Sequence, residues 1–142
     1  MSVAKPTWEI GDELESHTLP PVTRLQLIKY AGASGDYNPI HTVDEAAEEA
    51  GLPGVIAHGM LTAATMGLPF SSYLEHGYVK ELEVRFSGMV YVGDEITVGG
   101  RVSEKENSEE GCICSFEVHA SNGESAVASG TVGFLVFEDP YE

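Results

Sequence analysis

The sequence predicts an α+β fold in which an antiparallel sheet wraps around a buried helix, and three observations carry that prediction. Helical patterns occupy the first half of the chain and period-two alternation the second. The stretch from Gly59 to Leu68 has small or apolar residues almost all round, the mark of a helix enclosed by other structure. From Gly77 onward, one-faced strands follow one another across short polar turns, as they do in an antiparallel sheet with one face on a core.

With 142 residues, 42% of them hydrophobic, the chain can bury about 68–70% of the surface its unfolded form would expose. It holds no internal repeat, low-complexity tract or linker, so one domain over residues 1–142 is expected.

Two short extended pieces open the chain, Trp8 to Gly11 and Glu15 to Leu19. Pro20 and Pro21 stop the second, because proline cannot donate to a sheet ladder. Thr23 offers an N-cap to a helix whose apolar face is Leu27, Ile28, Tyr30 and Ala31, closed by Gly32 and Gly35. Thr42 and Glu45 have capping-box spacing. The stripe Ala46, Ala47 and Ala50 behind them predicts a small helix ended by Gly51 and Pro53, with Glu45, Glu48 and Glu49 on its solvated face. Pro69 should kink or end the core helix and leave Phe70 to Glu75 as a second piece. Leu82, Val84 and Phe86 then alternate with acidic residues and Arg85, and Ile96 and Val98 with Glu95 and Thr97. Cys112, Cys114, Phe116 and Val118 oppose Ser115, Glu117 and His119, and Ala126 to Phe137 is a last long strand. Val90 to Asp94, Asn107 to Gly111 and Ser121 to Glu124 supply the turns.

Seven Lys+Arg against 23 Asp+Glu leave a net charge of −16 and no basic stripe to neutralise phosphates, which argues against nucleic acid as a partner. The acidity itself reads as solubility or as adaptation to a salty cytoplasm. No apolar run reaches the roughly 18 residues of a membrane span. Met1 to Ile10 has a single Lys and no apolar signal region, so a cytoplasmic protein is expected. Cys112 and Cys114 share one strand face and read as buried thiols. With no further Cys or His near them at ligand spacing, no metal is expected.

The segment Ser34-Gly35-Asp36-Tyr37-Asn38-Pro39-Ile40-His41 is the most informative. Asp36 and His41 are about 140° apart around a helix and on opposite faces of a strand, so only an intervening turn lets them converge. Asn38-Pro39 supplies one, since Pro39 fixes its own φ and pushes Asn38 into an extended conformation. A carboxylate and an imidazole around one spot make a general acid/base pair. The same residues also fit an Asx turn whose His points outward. In Ala57-His58-Gly59-Met60, Gly59 would start the core helix and leave backbone N–H groups open to a ligand, as in an oxyanion hole. It fits a plain helix start as well, with His58 ordering the turn.

Tyr30 to His41, followed by Ala57-His58-Gly59-Met60, resembles the hydratase signature of MaoC-like proteins. These are the (R)-specific enoyl-CoA hydratases and related 3-hydroxyacyl thioester dehydratases. Val84-Arg85-Phe86, Tyr91-Val92-Gly93-Asp94 and the closing strands fall where that family has its sheet. The resemblance implies a hot-dog fold and a homodimer joined sheet edge to sheet edge. It implies a small-molecule acyl-CoA substrate with no separate cofactor, and an acyl chain running along the central helix. Asp36 and His41 would hold the catalytic water, the Gly59 N–H would receive the thioester carbonyl, and Tyr30, Asn38, His58 and Met60 would surround the substrate. Where some members carry a Ser on the central helix, this chain has Gly67, with Thr65 nearby.

The reaction implied is hydration of trans-2-enoyl-CoA to (R)-3-hydroxyacyl-CoA, or its reverse. In it Asp36 accepts a proton from water, and His41 orients the water and passes a proton towards C2. The alternatives are a 3-hydroxyacyl-acyl-carrier-protein dehydratase subunit of fatty acid synthesis needing a partner chain, a hot-dog thioesterase, and a non-catalytic acyl-thioester binding module. An acidic carrier would be poorly steered to this chain unless Arg85, Arg101 and Lys105 cluster, and a pure binder has no use for an acid/base pair. Ser71 or Ser72 with His76 lacks a Gly-x-Ser-x-Gly elbow. Arg85 reads as an ion-pair partner for neighbouring acids, His119 as an exposed strand residue, and Trp8 and Tyr37 as packing residues.

Overall fold

The computed structural model describes residues 3–139. Among them five strands form one antiparallel sheet: β1 (His17–Thr18), β2 (Gly77–Phe86), β3 (Thr97–Ser108), β4 (Gly111–Ser121) and β5 (Ala126–Phe137), in the order β1-β3-β4-β5-β2. The helices α1 (Arg24–Ser34), α2 (Asp44–Glu49) and α3 (Gly59–Thr65) precede the long strands. Val102, Phe116, Val132 and Phe134 pack into the core, all at most 1% exposed. Irregular register at Val79/Glu81 and Val102/Glu104 marks bulges, which bend strands and help the sheet curl. Trp8 plugs the open end of the curl: its ring meets Tyr73 and Phe116 at 4.9 Å and Phe134 at 5.5 Å, all edge-on.

Local signals act largely as the sequence indicates. Thr23 caps α1 by accepting from Gln26 N at 3.1 Å. The helix runs through Gly32 and closes only at Gly35, whose φ of 76° lets its N–H bond Ala31 O. The Thr42–Glu45 capping box does not form. The Thr42 N–H turns back to Pro39 O to end a single 3-10 turn, Pro39–His41, so α2 starts later with Val43 as its uncapped N-cap. Arg24 instead anchors that helix through Asp44 at 2.7 Å. Pro69 divides the central helix, and Leu68–Tyr73 continues as 3-10 turns.

Four readings need correction. Trp8 to Gly11 is a turn rather than a strand, with Gly11 at φ 92°. Tyr37 does not pack and is 71% exposed. Arg85 makes no ion pair among the described residues, whereas Arg101 meets Glu117 at 3.5 Å across the strand pair. The central helix is not enclosed all round: Thr62, Ala63 and Met66 are buried, but Gly59, Met60, Ala64 and Leu68 face outward. The same side carries the outermost strand β2, where Leu82 and Phe86 are exposed. The small, apolar character of the helix therefore describes a surface that a single chain leaves open.

Cys114 is buried and Cys112 half-buried, both as free thiols. Burial, with the neighbouring Cys112 second, pushes the Cys114 thiol up to about 12. No helix among the described residues is long and apolar enough to cross a membrane.

Candidate active site

A ladder of short polar bonds shapes the loop after α1. Ser34 Oγ accepts from Asp36 N at 3.1 Å, Asp36 Oδ1 from Asn38 N at 3.2 Å, and Asn38 Oδ1 from Ile40 N at 3.2 Å. Each is the side-chain-to-backbone bond that Ser, Asp and Asn make in turns. Pro39 then opens the 3-10 turn that carries His41 back towards Asp36. The Asx geometry and the convergence of the two side chains, which the sequence left as alternatives, are both present.

His41 is buried, and its Nδ1 lies 2.7 Å from Ile56 O. A carbonyl oxygen only accepts, so Nδ1 carries the hydrogen and the neutral ring presents a bare Nε2 lone pair. That Nε2 lies 3.7 Å from Asp36 Oδ2, whose side chain is 52% exposed. The gap is too long for a direct hydrogen bond and suits one shared water. Two acceptors use both hydrogens of such a water and leave its oxygen lone pairs free.

Behind His41 lies His58, only 1% exposed. Its ring stacks on His41 with centroids 3.9 Å apart and planes 24° from parallel, and Tyr30 closes against its other surroundings at 4.8 Å. His58 Nε2 reaches Asp36 O at 3.1 Å, while Nδ1 is buried without a partner among the described residues. An unsatisfied buried polar atom costs about 1–3 kcal/mol. Next in the chain, Gly59 is the first residue of α3, and its N–H belongs to the turn that has no intrahelical acceptor.

Other residues fall into place around this pair. Asn38 is exposed, with its side-chain oxygen held by the turn, and Met60 is 65% exposed beside Gly59. Thr65 Oγ1 bonds Thr62 O at 2.6 Å. At Gly67 the nearest heavy atom to an added Cβ is 3.6 Å away, so the backbone leaves room for the Ser of other family members. Phe86 was missed by the sequence reading: its ring tip lies 3.4 Å from where a Gly59 Cβ would sit, at the mouth of the site. Only the folded sheet brings the end of β2 to that helix, so no local signal marks it.

The polar atoms of Asp36, His41 and His58 lie within 4.8 Å of one another, the composition of a metal site. A metal must lie in the plane of each imidazole it binds, at about 2.0–2.1 Å. The planes of rings stacked at 24° meet too far out for one ion to satisfy both, so the donors do not fit a shared ion. Ser71 and His76, already set aside as a hydrolase pair, are engaged elsewhere: Ser71 Oγ bonds Leu68 O, and His76 Nε2 lies 2.7 Å from Val3 O. A separate open groove of about 1180 Å³ lies on the far face of the sheet, lined by residues of both signs including Arg85, Arg101, Glu83 and Glu117, and contains none of the site residues. Lys105 is engaged with Glu9 instead.

A curled antiparallel sheet closed over a short helix defines the hot-dog class. The chain belongs to the MaoC-like dehydratase family, whose MaoC like domain matches residues 6–122. Over 72 residues, 49% of this chain, it is 43% identical to a fatty acid synthase subunit beta of Aspergillus oryzae. Over 54 residues, 34% of this chain, it is 48% identical to 3-hydroxyacyl-thioester dehydratase X of Mycobacterium tuberculosis. The matches span only 4% and 19% of those two relatives. The solved (R)-hydratase from A. caviae superposes with a TM-score of 0.77 at 21% identity, over 92% of this chain and 98% of that one, which establishes the shared fold. A 3-hydroxyacyl-thioester dehydratase is thus among its relatives by sequence.

Proposed function

We propose that this protein adds water reversibly across the double bond of trans-2-enoyl-CoA to give (R)-3-hydroxyacyl-CoA. The observation that carries the reading is the pair of acceptors, His41 Nε2 and Asp36 Oδ2, 3.7 Å apart. The water they share attacks C3 while Asp36 takes the proton it loses. The pair then returns that proton to C2, His41 holding the water through its Nε2 lone pair, so the enzyme ends as it began. Negative charge collects on the thioester oxygen as the enolate forms, and the Gly59 N–H at the start of α3 receives it. One such donor lowers the barrier by about 3–4 kcal/mol.

The acyl chain follows the open side of α3, past Met60 and Phe86. A second copy covers that side in our reading, giving a homodimer: β2 is an edge strand of the sheet, its outer backbone groups meeting no other strand among the described residues, with Leu82 and Phe86 exposed. Static light scattering should return twice the chain mass, and a monomer would remove this interface.

Crotonyl-CoA tests the chemistry. The ultraviolet absorbance of its conjugated thioester should fall with the wild type and stay constant with Asp36→Asn. Retained absorbance with the wild type on crotonyl-CoA and on longer enoyl-CoA thioesters would refute the assignment, and consumption only of carrier-bound enoyl thioesters would replace CoA by the carrier.

A further inference from the structure

The buried histidine behind the site touches every part of it. Its ring stacks on His41, its Nε2–H donates to the main-chain oxygen of Asp36, and its own carbonyl accepts from Leu61 N at 3.1 Å and Thr62 N at 3.3 Å in the first turn of α3. We propose that His58 is a positioning residue whose side chain holds Asp36 and His41 in register, acting through them and not on the substrate. The inference rests on the hydratase reading for what the register accomplishes, but the register itself exists in the free protein.

Geometry separates this role from substrate contact and from plain packing. At 1% exposure His58 offers no surface to a ligand. A packing role alone would be filled as well by a hydrocarbon ring, which would bury no orphan. His58 instead keeps a buried Nδ1 without a partner while directing its one N–H at the loop that carries the carboxylate. The hydrogen must be on Nε2, since the Asp36 oxygen can only accept. Loss of this bond releases the Asp36 backbone, whose carboxylate is half in solvent and otherwise held by turn bonds of its own loop. Loss of the stack frees the face of His41, leaving the Ile56 bond to hold that ring alone.

Three variants divide the contributions. His58→Ala removes both contacts, His58→Phe keeps an aromatic face, and His58→Gln keeps an N–H near the position of Nε2. Two readouts are taken: kcat and KM on enoyl-CoA, corrected for folded fraction by circular dichroism, and the tautomer of His41 from long-range proton–nitrogen NMR spectra of the ligand-free protein. Misplacement by about 1 Å can lower turnover about a hundredfold. His58→Ala should therefore lose between about ten- and a hundredfold in kcat with KM nearly unchanged, and His58→Gln and His58→Phe should each recover part of it. The NMR spectrum should place the His41 proton on Nδ1 in the wild type and show altered His41 nitrogen shifts in His58→Ala. Wild-type kcat per folded molecule together with an unchanged His41 spectrum in His58→Ala overturns the proposal, as does a uniform loss that neither Gln nor Phe relieves. If the wild type turns over no enoyl thioester but the His41 spectrum still responds, the hydratase reading fails and the positioning role stands. Should His58→Ala not fold, the Gln and Phe variants carry the same test, and wild-type behaviour in both overturns it.

Discussion

Two groups of rings organise the molecule, and they differ in what they leave undone. Around Trp8, the rings of Tyr73, Phe116 and Phe134 meet edge-on, and the phenylalanines there are fully buried. Around His58, two imidazoles stack while one nitrogen is orphaned, a second presents a bare lone pair, and a carboxylate stands half in solvent. The first group buries no orphaned polar side-chain atom among the described residues and serves stability. The second keeps polar capacity that costs folding free energy, as sites that must handle a proton do.

Mutation should separate the two groups. The largest effect is expected in the polar one: Asp36→Asn or His41→Ala should cut turnover about 10²–10⁴-fold while thermal unfolding moves little. Near wild-type turnover in either variant would dissolve the contrast. In the apolar group Phe116→Ala should cost about 3–5 kcal/mol of stability, read as a lower urea midpoint, with activity per folded molecule retained. A change in KM there would show that the core shapes the pocket. Thr23→Ala, which loses the cap of the helix leading to the Asp36 loop, should cost about 1 kcal/mol and leave the His41 tautomer unchanged. The smallest effect concerns Cys114, whose folded pKa of about 12 lies above the ordinary thiol value of 9.0. A raised folded pKa means its contribution is complete below pH 9 and lost as pH rises towards 12. Unfolding midpoints measured across that range should fall less steeply in Cys114→Ala than in the wild type.

The parts of the fold that depend on near neighbours were readable in advance. Thr23 and Gly35 bound a helix through bonds spanning three or four residues, and strand alternation identifies the core face of β4 because the side-chain period is local, whereas in β5 Ala126 is exposed and Val132 to Val136 are buried in succession. Asn38-Pro39 likewise announces the turn that returns His41 to Asp36. The failures share a different cause. Thr42 loses its capping role to the preceding 3-10 turn, a competition between two adjacent elements that neither pattern reveals. The tautomer of His41 depends on Ile56, the stacking of His58 on a loop 17 residues earlier, and the place of Phe86 on the whole sheet. The open side of α3 was misread because an apolar helix surface looks the same in sequence whether its cover comes from its own chain or from elsewhere.

Phe86 belongs both to the outermost strand and to the mouth of the site, one ring away from Gly59. Whatever lies along that strand therefore presses on Gly59, the position proposed to receive the carbonyl. If the proposed homodimer forms along that strand, assembly and the proposed chemistry become linked equilibria: a substrate that orders the ring should tighten the association of copies, and dilution should lower activity per molecule before any unfolding is seen.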